Sequence, residues 1–207
     1  MSQQKTDTAL LLLDLQNEMV DPKGFFGAMG MAKAVAEGNV IANARKALDA
    51  ARKAGIAVVF VRLGFRPDYS DGLSVAPRVA KFKAAKAVIL GNWGTEFPAE
   101  LQPLPEELVI TKQAANPFFN TGLLTWLMSR GIKKLALCGV ATNNAVEMCA
   151  RFGDDAGFAS TVLADCCAAG NMELHKFAIE KILPQFAEIK TADDFVRQID
   201  GANALNL

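Results

Sequence analysis

Short apolar runs alternate with longer amphipathic stretches along this chain, and that rhythm restricts its fold more than any other feature. Thr8 to Leu13 is an apolar run of strand length that ends at Asp14. A strand without polar alternation is covered on both faces. From Asn39 to Ala54, Val40, Ile41, Ala44, Leu48 and Ala51 recur at helical spacing, Gly55 stops the helix, and Ile56 to Val61 is a second buried strand. Strand, helix and strand in that order predict a right-handed βαβ unit. The alternation continues with strands at 108–111, 135–138, 161–164 and 186–189, and with helices at 123–128, 143–156, 172–183 and 193–199. The pattern predicts an α/β chain: a three-layer αβα, Rossmann-like fold with a mostly parallel six-stranded sheet and helices on both faces. Residues 1–207 read as one domain, because a chain of this length buries roughly 70% of its unfolded surface.

Two segments interrupt the rhythm. Residues 16–38 hold the turn Asp21-Pro22-Lys23-Gly24 and then read as a loose connection. Residues 64–106 carry five prolines and four glycines, with room for one short helix near 77–87. So long an irregular connection is uncommon unless it is used, so it is expected to form a pocket wall or lid. Its basic run, Arg78, Lys81, Lys83 and Lys86, reads as a solvated helical face.

With 22 Lys+Arg against 22 Asp+Glu, the molecule lacks the field that would gather nucleic acid or an anionic membrane. Small neutral or weakly charged molecules are the expected partners. The first residues show an apolar run far too short for a membrane span, with neither a basic leader nor a cleavage site, so a cytoplasmic protein is expected. Cys138, Cys149, Cys166 and Cys167 are scattered as reduced, buried thiols would be. The single histidine, His175, cannot build a histidine-based zinc site alone and reads as a surface or packing residue.

In an open parallel sheet, ligands bind beyond the carboxyl ends of the strands. Asp14, Lys112 and the corner Gly139–Ala145 all fall at such ends, bringing an acid, a cation and the start of a helix to one edge. Thr142 and Asn143 are expected to cap that helix. Its free amides and positive dipole end would stabilise an oxyanion or a thiolate. Arg62 and Arg66 are candidates to hold a substrate carboxylate, and Trp93 is a candidate aromatic pocket wall. No phosphate-binding glycine pattern is present.

Three motifs recur in order: Ala9-Leu-Leu-Leu-Leu-Asp14-Leu-Gln-Asn17; Thr111-Lys112 followed by Pro117-Phe-Phe-Asn-Thr-Gly-Leu123; and Cys138-Gly-Val-Ala-Thr-Asn143. They resemble the isochorismatase-like hydrolases, a superfamily of cysteine-type amidohydrolases that includes nicotinamidases, N-carbamoylsarcosine amidases and ureidoacrylate hydrolases. Trp93-Gly-Thr-Glu96 and Asp165-Cys-Cys-Ala168 extend the likeness over nearly the whole chain.

The resemblance implies hydrolysis of a C–N bond in a small amide or ureido acid, without metal or cofactor. It makes Asp14 the general base, Lys112 the cation that keeps Asp14 ionised, and the amides of Ala141 and Ala145 an oxyanion hole beside a cis Val140–Ala141 bond. It also implies a homo-oligomer. The family's nucleophilic cysteine falls on Ala145, whose methyl cannot attack a carbonyl. Three accounts stand open: a replaced nucleophile, a natural member without the thiol, or a thiol relocated to Cys149 or Cys138. A Cys-independent vinyl-ether hydrolase of the isochorismatase kind is the alternative activity, although the Tyr-Ala-His pattern of those enzymes is Ala141-Thr142-Asn143 here. A non-catalytic binding or assembly protein is the other.

Overall fold

The computed structural model describes residues 6–72 and 77–204, with the side chains of 202–204 outside that description. The first five residues, on which the expectation of no leader partly rests, lie outside it too. Six parallel strands form one sheet in the order β3-β2-β1-β4-β5-β6. They are β1 (Thr8–Leu13), β2 (Ala57–Leu63), β3 (Leu108–Lys112), β4 (Lys134–Val140), β5 (Ala159–Ala168) and β6 (Ala187–Lys190). The order reverses between β1 and β4, which opens a crevice beyond their carboxyl ends.

The helices are α1 (Asn17–Val20), α2 (Ala32–Glu37), α3 (Val40–Lys53), α4 (Pro77–Ala85), α5 (Leu123–Ser129), α6 (Glu147–Asp155), α7 (Met172–Phe177) and α8 (Ala192–Ala204). Alternate residues of β1 feed two cores. Leu10 and Leu12 pack with α3 and α8 on one face through Leu48 and Phe195. Ala9, Leu11 and Leu13 pack with α5 and α6 on the other through Leu127 and Cys149. Both faces of β1 are therefore dry, and all of Ala9 to Leu13 is fully buried. This is the physical reason the run shows no polar alternation.

Three elements depart from the expectations. The segment 16–38, read as loose, contains α1 and α2, because Met31, Ala32, Ala34 and Val35 bury a stripe too short to stand out as periodic. Strand β5 runs four residues beyond Ala164, and its register against β4 shifts between Leu137 and Gly139. The predicted helix 172–183 is regular only to Phe177 and ends in irregular turns through Leu183–Gln185.

Gly139 shows why β4 must end as it does. Its φ is +142°, and a Cβ there would overlap the backbone carbonyl of Leu13 on the adjacent strand. Gly139→Ala is expected to cost about 2–4 kcal/mol, combining backbone strain with overpacking. Gly201 in α8 faces open space, and Gly201→Ala should stabilise by about 0.5–1 kcal/mol. Urea denaturation of the two variants checks both signs.

Candidate active site

β1 stops at Leu13, and the next residue, Asp14, turns into the left-handed region with φ +56° while its amide donates to the Val61 carbonyl at 2.8 Å. Asp tolerates this region better than most residues, yet strained backbone of this kind concentrates at functional sites. Lys112 ends β3, two strands away, roughly 10 Å across the sheet. Only a long side chain closes that gap: the Lys112 ammonium donates to Asp14 Oδ2 at 2.7 Å and to the Ala114 carbonyl at 3.0 Å. Both residues are buried, at 4% and 1% exposure. Burial raises the Asp14 carboxyl above the ordinary carboxylate range, and the charge and hydrogen bond of Lys112 pull it part of the way back. Asp14 Oδ1 is buried without a hydrogen-bond partner among the described residues.

β4 delivers the third component. After Gly139 the Val140–Ala141 peptide is cis, and the chain makes a wide turn through Thr142–Val146 into α6. The expected capping by Thr142 and Asn143 does not occur. The Ala141 carbonyl instead accepts from the amides of Asn144 and Val146 at 3.0 and 3.3 Å. The Thr142 hydroxyl, fully buried, shares a 2.8 Å hydrogen bond with His175 Nδ1. His175 thus braces the turn from α7, which no local sequence signal announces. Burial lowers its pKa and favours the neutral ring.

Asp14, Lys112, Ala141 and Ala145 line one cavity of about 330 Å³, at the small end of ligand sites. Its wall is largely apolar and comes from two inter-strand segments. Met19, Phe25, Phe26, Met29 and Met31 belong to the stretch read as a loose connection; Arg78, Lys81 and Phe82 belong to α4, inside the segment expected to be a wall or lid. Arg78 and Lys81 are exposed, as expected of a solvated face, and also line the cavity. Lys83 and Lys86 do not.

Other candidates lie elsewhere. Arg62 is outside the lining: its guanidinium donates to the Thr111 hydroxyl at 3.1 Å and to the Thr95 carbonyl at 3.4 Å, and burial lowers its pKa. Arg66 is exposed and pairs with Asp68 at 3.7 Å. Trp93 is also outside, 45% exposed, with its carbonyl accepting from the Asn17 side chain at 3.0 Å. Both thiols considered as relocated nucleophiles are buried. Cys149 is fully buried in the core between sheet and α6, and burial pushes its thiol far up. Cys138 sits in the opposite core.

Three consecutive residues fasten the walls to the acid. Gln16, fully buried, donates to the Leu63 and Gly94 carbonyls at 3.0 and 3.1 Å and accepts from the Leu63 amide at 2.7 Å. Asn17 holds Trp93, and the Glu18 carboxylate accepts from the amides of Phe25 at 2.8 Å and Val88 at 3.3 Å. Gly94 lacks a Cβ where Glu18 Oε2 passes.

A crevice at the strand-order reversal, floored by a buried carboxylate–ammonium pair and a helix-opening turn, defines an enzyme site of the doubly wound α/β class. The model of the isochorismatase domain matches residues 8–194, and the chain belongs to that family. Ureidoacrylate amidohydrolase RutB of Variovorax paradoxus is 31% identical over 212 residues, covering 96% of this chain and 84% of that protein. The protein of that name from Pseudomonas syringae pv. syringae is 34% identical, covering 91% of this chain and 82% of its own. Among solved structures, a cysteine hydrolase from Pseudomonas syringae pv. phaseolicola superposes with a TM-score of 0.86 at 24% identity, covering 95% of this chain and 93% of that one. An isochorismatase family protein from Burkholderia thailandensis gives 0.78 at 27% identity, covering 94% and 96%.

Lys112→Met strands the Asp14 carboxyl in the dry interior. At neutral pH the loss is expected to be about 3–5 kcal/mol. Because the folded-state pKa of Asp14 is raised, the cost is present once the unfolded carboxyl ionises, above about pH 4, and disappears below it. Urea denaturation of wild type and variant at pH 3.5 and 7 should show the gap closing in acid.

Proposed function

We propose that this scaffold hydrolyses the C–N bond of a small amide or ureido compound, with Asp14 as proton acceptor, Lys112 as its counter-ion and the amides of Ala141 and Ala145 as oxyanion donors. One observation carries this reading: Asp14 offers an unpartnered buried oxygen in the wall of the cavity that also contains Ala145. An orphaned buried acceptor costs stability, and a reaction that uses it accounts for its retention. The names of the relatives support the reaction class. The same reading takes the protein as a cytosolic homo-oligomer, and its four free, buried thiols suit a reducing compartment.

A thiol at position 145 completes the sequence of steps. Asp14 takes the Sγ proton, and the thiolate attacks the carbonyl carbon. The oxyanion settles on the amides, then the C–N bond breaks as Asp14 returns the proton to the leaving nitrogen. Water then cleaves the thioester. With Ala145 in place the covalent route is shut.

Ala145→Cys is expected to raise ammonia release from small amides and ureido acids by about a thousandfold or more over the Ala145 protein. Asp14→Asn in that background should abolish the gain. Since burial raises Asp14, the acid limb of the pH–rate profile should lie above the ordinary carboxylate range. An Ala145→Cys variant silent across the panel overturns the proposal.

The raised Asp14 pKa favours a second reading, in which a protonated Asp14 donates to the vinyl ether of isochorismate without any thiol. Pyruvate release by the protein with Ala145 in place separates the two.

A further inference from the structure

Charge in the cavity wall is unevenly distributed. Of the ionisable residues that line it, Asp14 and Lys112 neutralise each other at 2.7 Å. That leaves Arg78 and Lys81, neither of which forms an ion pair or side-chain hydrogen bond with another described residue. Their placement on α4 disfavours the helix in two ways. Arg78 stands in the first turn, where a cation opposes the helix dipole, and that turn holds no acid. Arg78 and Lys81 are also three residues apart on one face, where like charges repel. A cost in stability without a structural return points to function.

Phe82, four residues from Arg78, shares that same face, and with Phe25, Phe26 and Met31 it forms an apolar belt in the cavity that also contains the Ala141–Ala145 turn. Phe82 packs edge-on against Phe26 with ring centroids 5.4 Å apart. Lys83 projects from the helix in another direction and lies outside the lining.

We infer that Arg78 and Lys81 determine specificity by anchoring the carboxylate of the substrate, and that the substrate carries a bulky apolar body between this carboxylate and the scissile group. This rests on the reading of the cavity as a C–N hydrolase site and adds the anion anchor and the apolar middle. A guanidinium and an ammonium on one helical face, both exposed yet lining the cavity, supply several donors to carboxylate oxygens. The phenylalanine belt then favours a ligand with an aromatic or branched arm over a compact ureido acid.

Binding to the protein with Ala145 in place tests this apart from catalysis. Titration calorimetry would compare N-carbamoylphenylalanine, which has carboxylate, ureido group and arm, with N-carbamoylglycine, which lacks the arm, and N-phenethylurea, which lacks the carboxylate. N-carbamoylphenylalanine is expected to bind about tenfold tighter than either. The double variant Arg78→Met, Lys81→Met should erase its advantage over N-phenethylurea and leave N-phenethylurea itself unchanged. Lys83→Met with Lys86→Met, removing the same charge outside the cavity, should preserve all three affinities. Equal binding of N-phenethylurea and N-carbamoylphenylalanine overturns the inference. So does an unchanged preference in the Arg78/Lys81 variant, or no binding of any probe. Ammonia release by the Ala145→Cys protein with tight but non-discriminating binding would overturn the anchor while leaving the hydrolase reading standing.

Discussion

The contact between Lys112 and Asp14 is the constraint on which the site depends. It joins residues 98 positions apart in sequence, passes over β2, and ties the edge strand β3 to the central strand β1 at their carboxyl ends. Two charges in a dry interior are costly to desolvate, and well-packed apolar side chains in their place are often as stable or more so. The pair is therefore better explained by chemistry than by folding. Its arrangement also leaves one carboxylate oxygen without a partner among the described residues. A carboxylate held by one oxygen and left open at the other suits the proposed role of proton acceptor, and the strand ends hold it in that arrangement.

How far this was legible in the sequence follows from which interactions are local. The strands β1 and β2 stand out because burial on both faces removes polar alternation, and the first βα unit follows from helical spacing and Gly55. Asp14, Lys112 and the Gly139–Ala145 corner could be placed at one edge because parallel strands point their carboxyl ends the same way. Long-range bonds were invisible. Nothing in Thr142 or His175 says that they meet across 33 residues, and nothing in Gln16 says that it binds both Leu63 and Gly94. Arg62 donates to the Thr111 hydroxyl and the Thr95 carbonyl, and the Trp93 carbonyl accepts from Asn17, bonds that lie beyond sequence range. In α4 all four cations are exposed, as a solvated face requires, and the i, i+3, i+4 grouping of 78, 81 and 82 separates the two that also line the cavity.

Ala145 sits oddly in so complete a setting. The turn that presents it, the acid beside it and the cation behind the acid form a coherent apparatus around a methyl group. The thiols nearby offer no substitute, since Cys149 and Cys138 are packed into the cores on either side of the sheet. The cavity lining contains a carboxyl and an ammonium and, among the described residues, no thiol.

The fastening of both wall segments to Gln16, Asn17 and Glu18 separates two responsibilities within one chain. Asp14 and Lys112 stand at strand ends, which the sheet locks, while most of the apolar cavity wall hangs on connections pinned at a few points. A lineage that keeps those pins is free to rewrite the connections between them. Such a scaffold can reshape its cavity by exchanging a handful of side chains on α4 and the 25–31 segment, with the Asp14–Lys112 pair left intact.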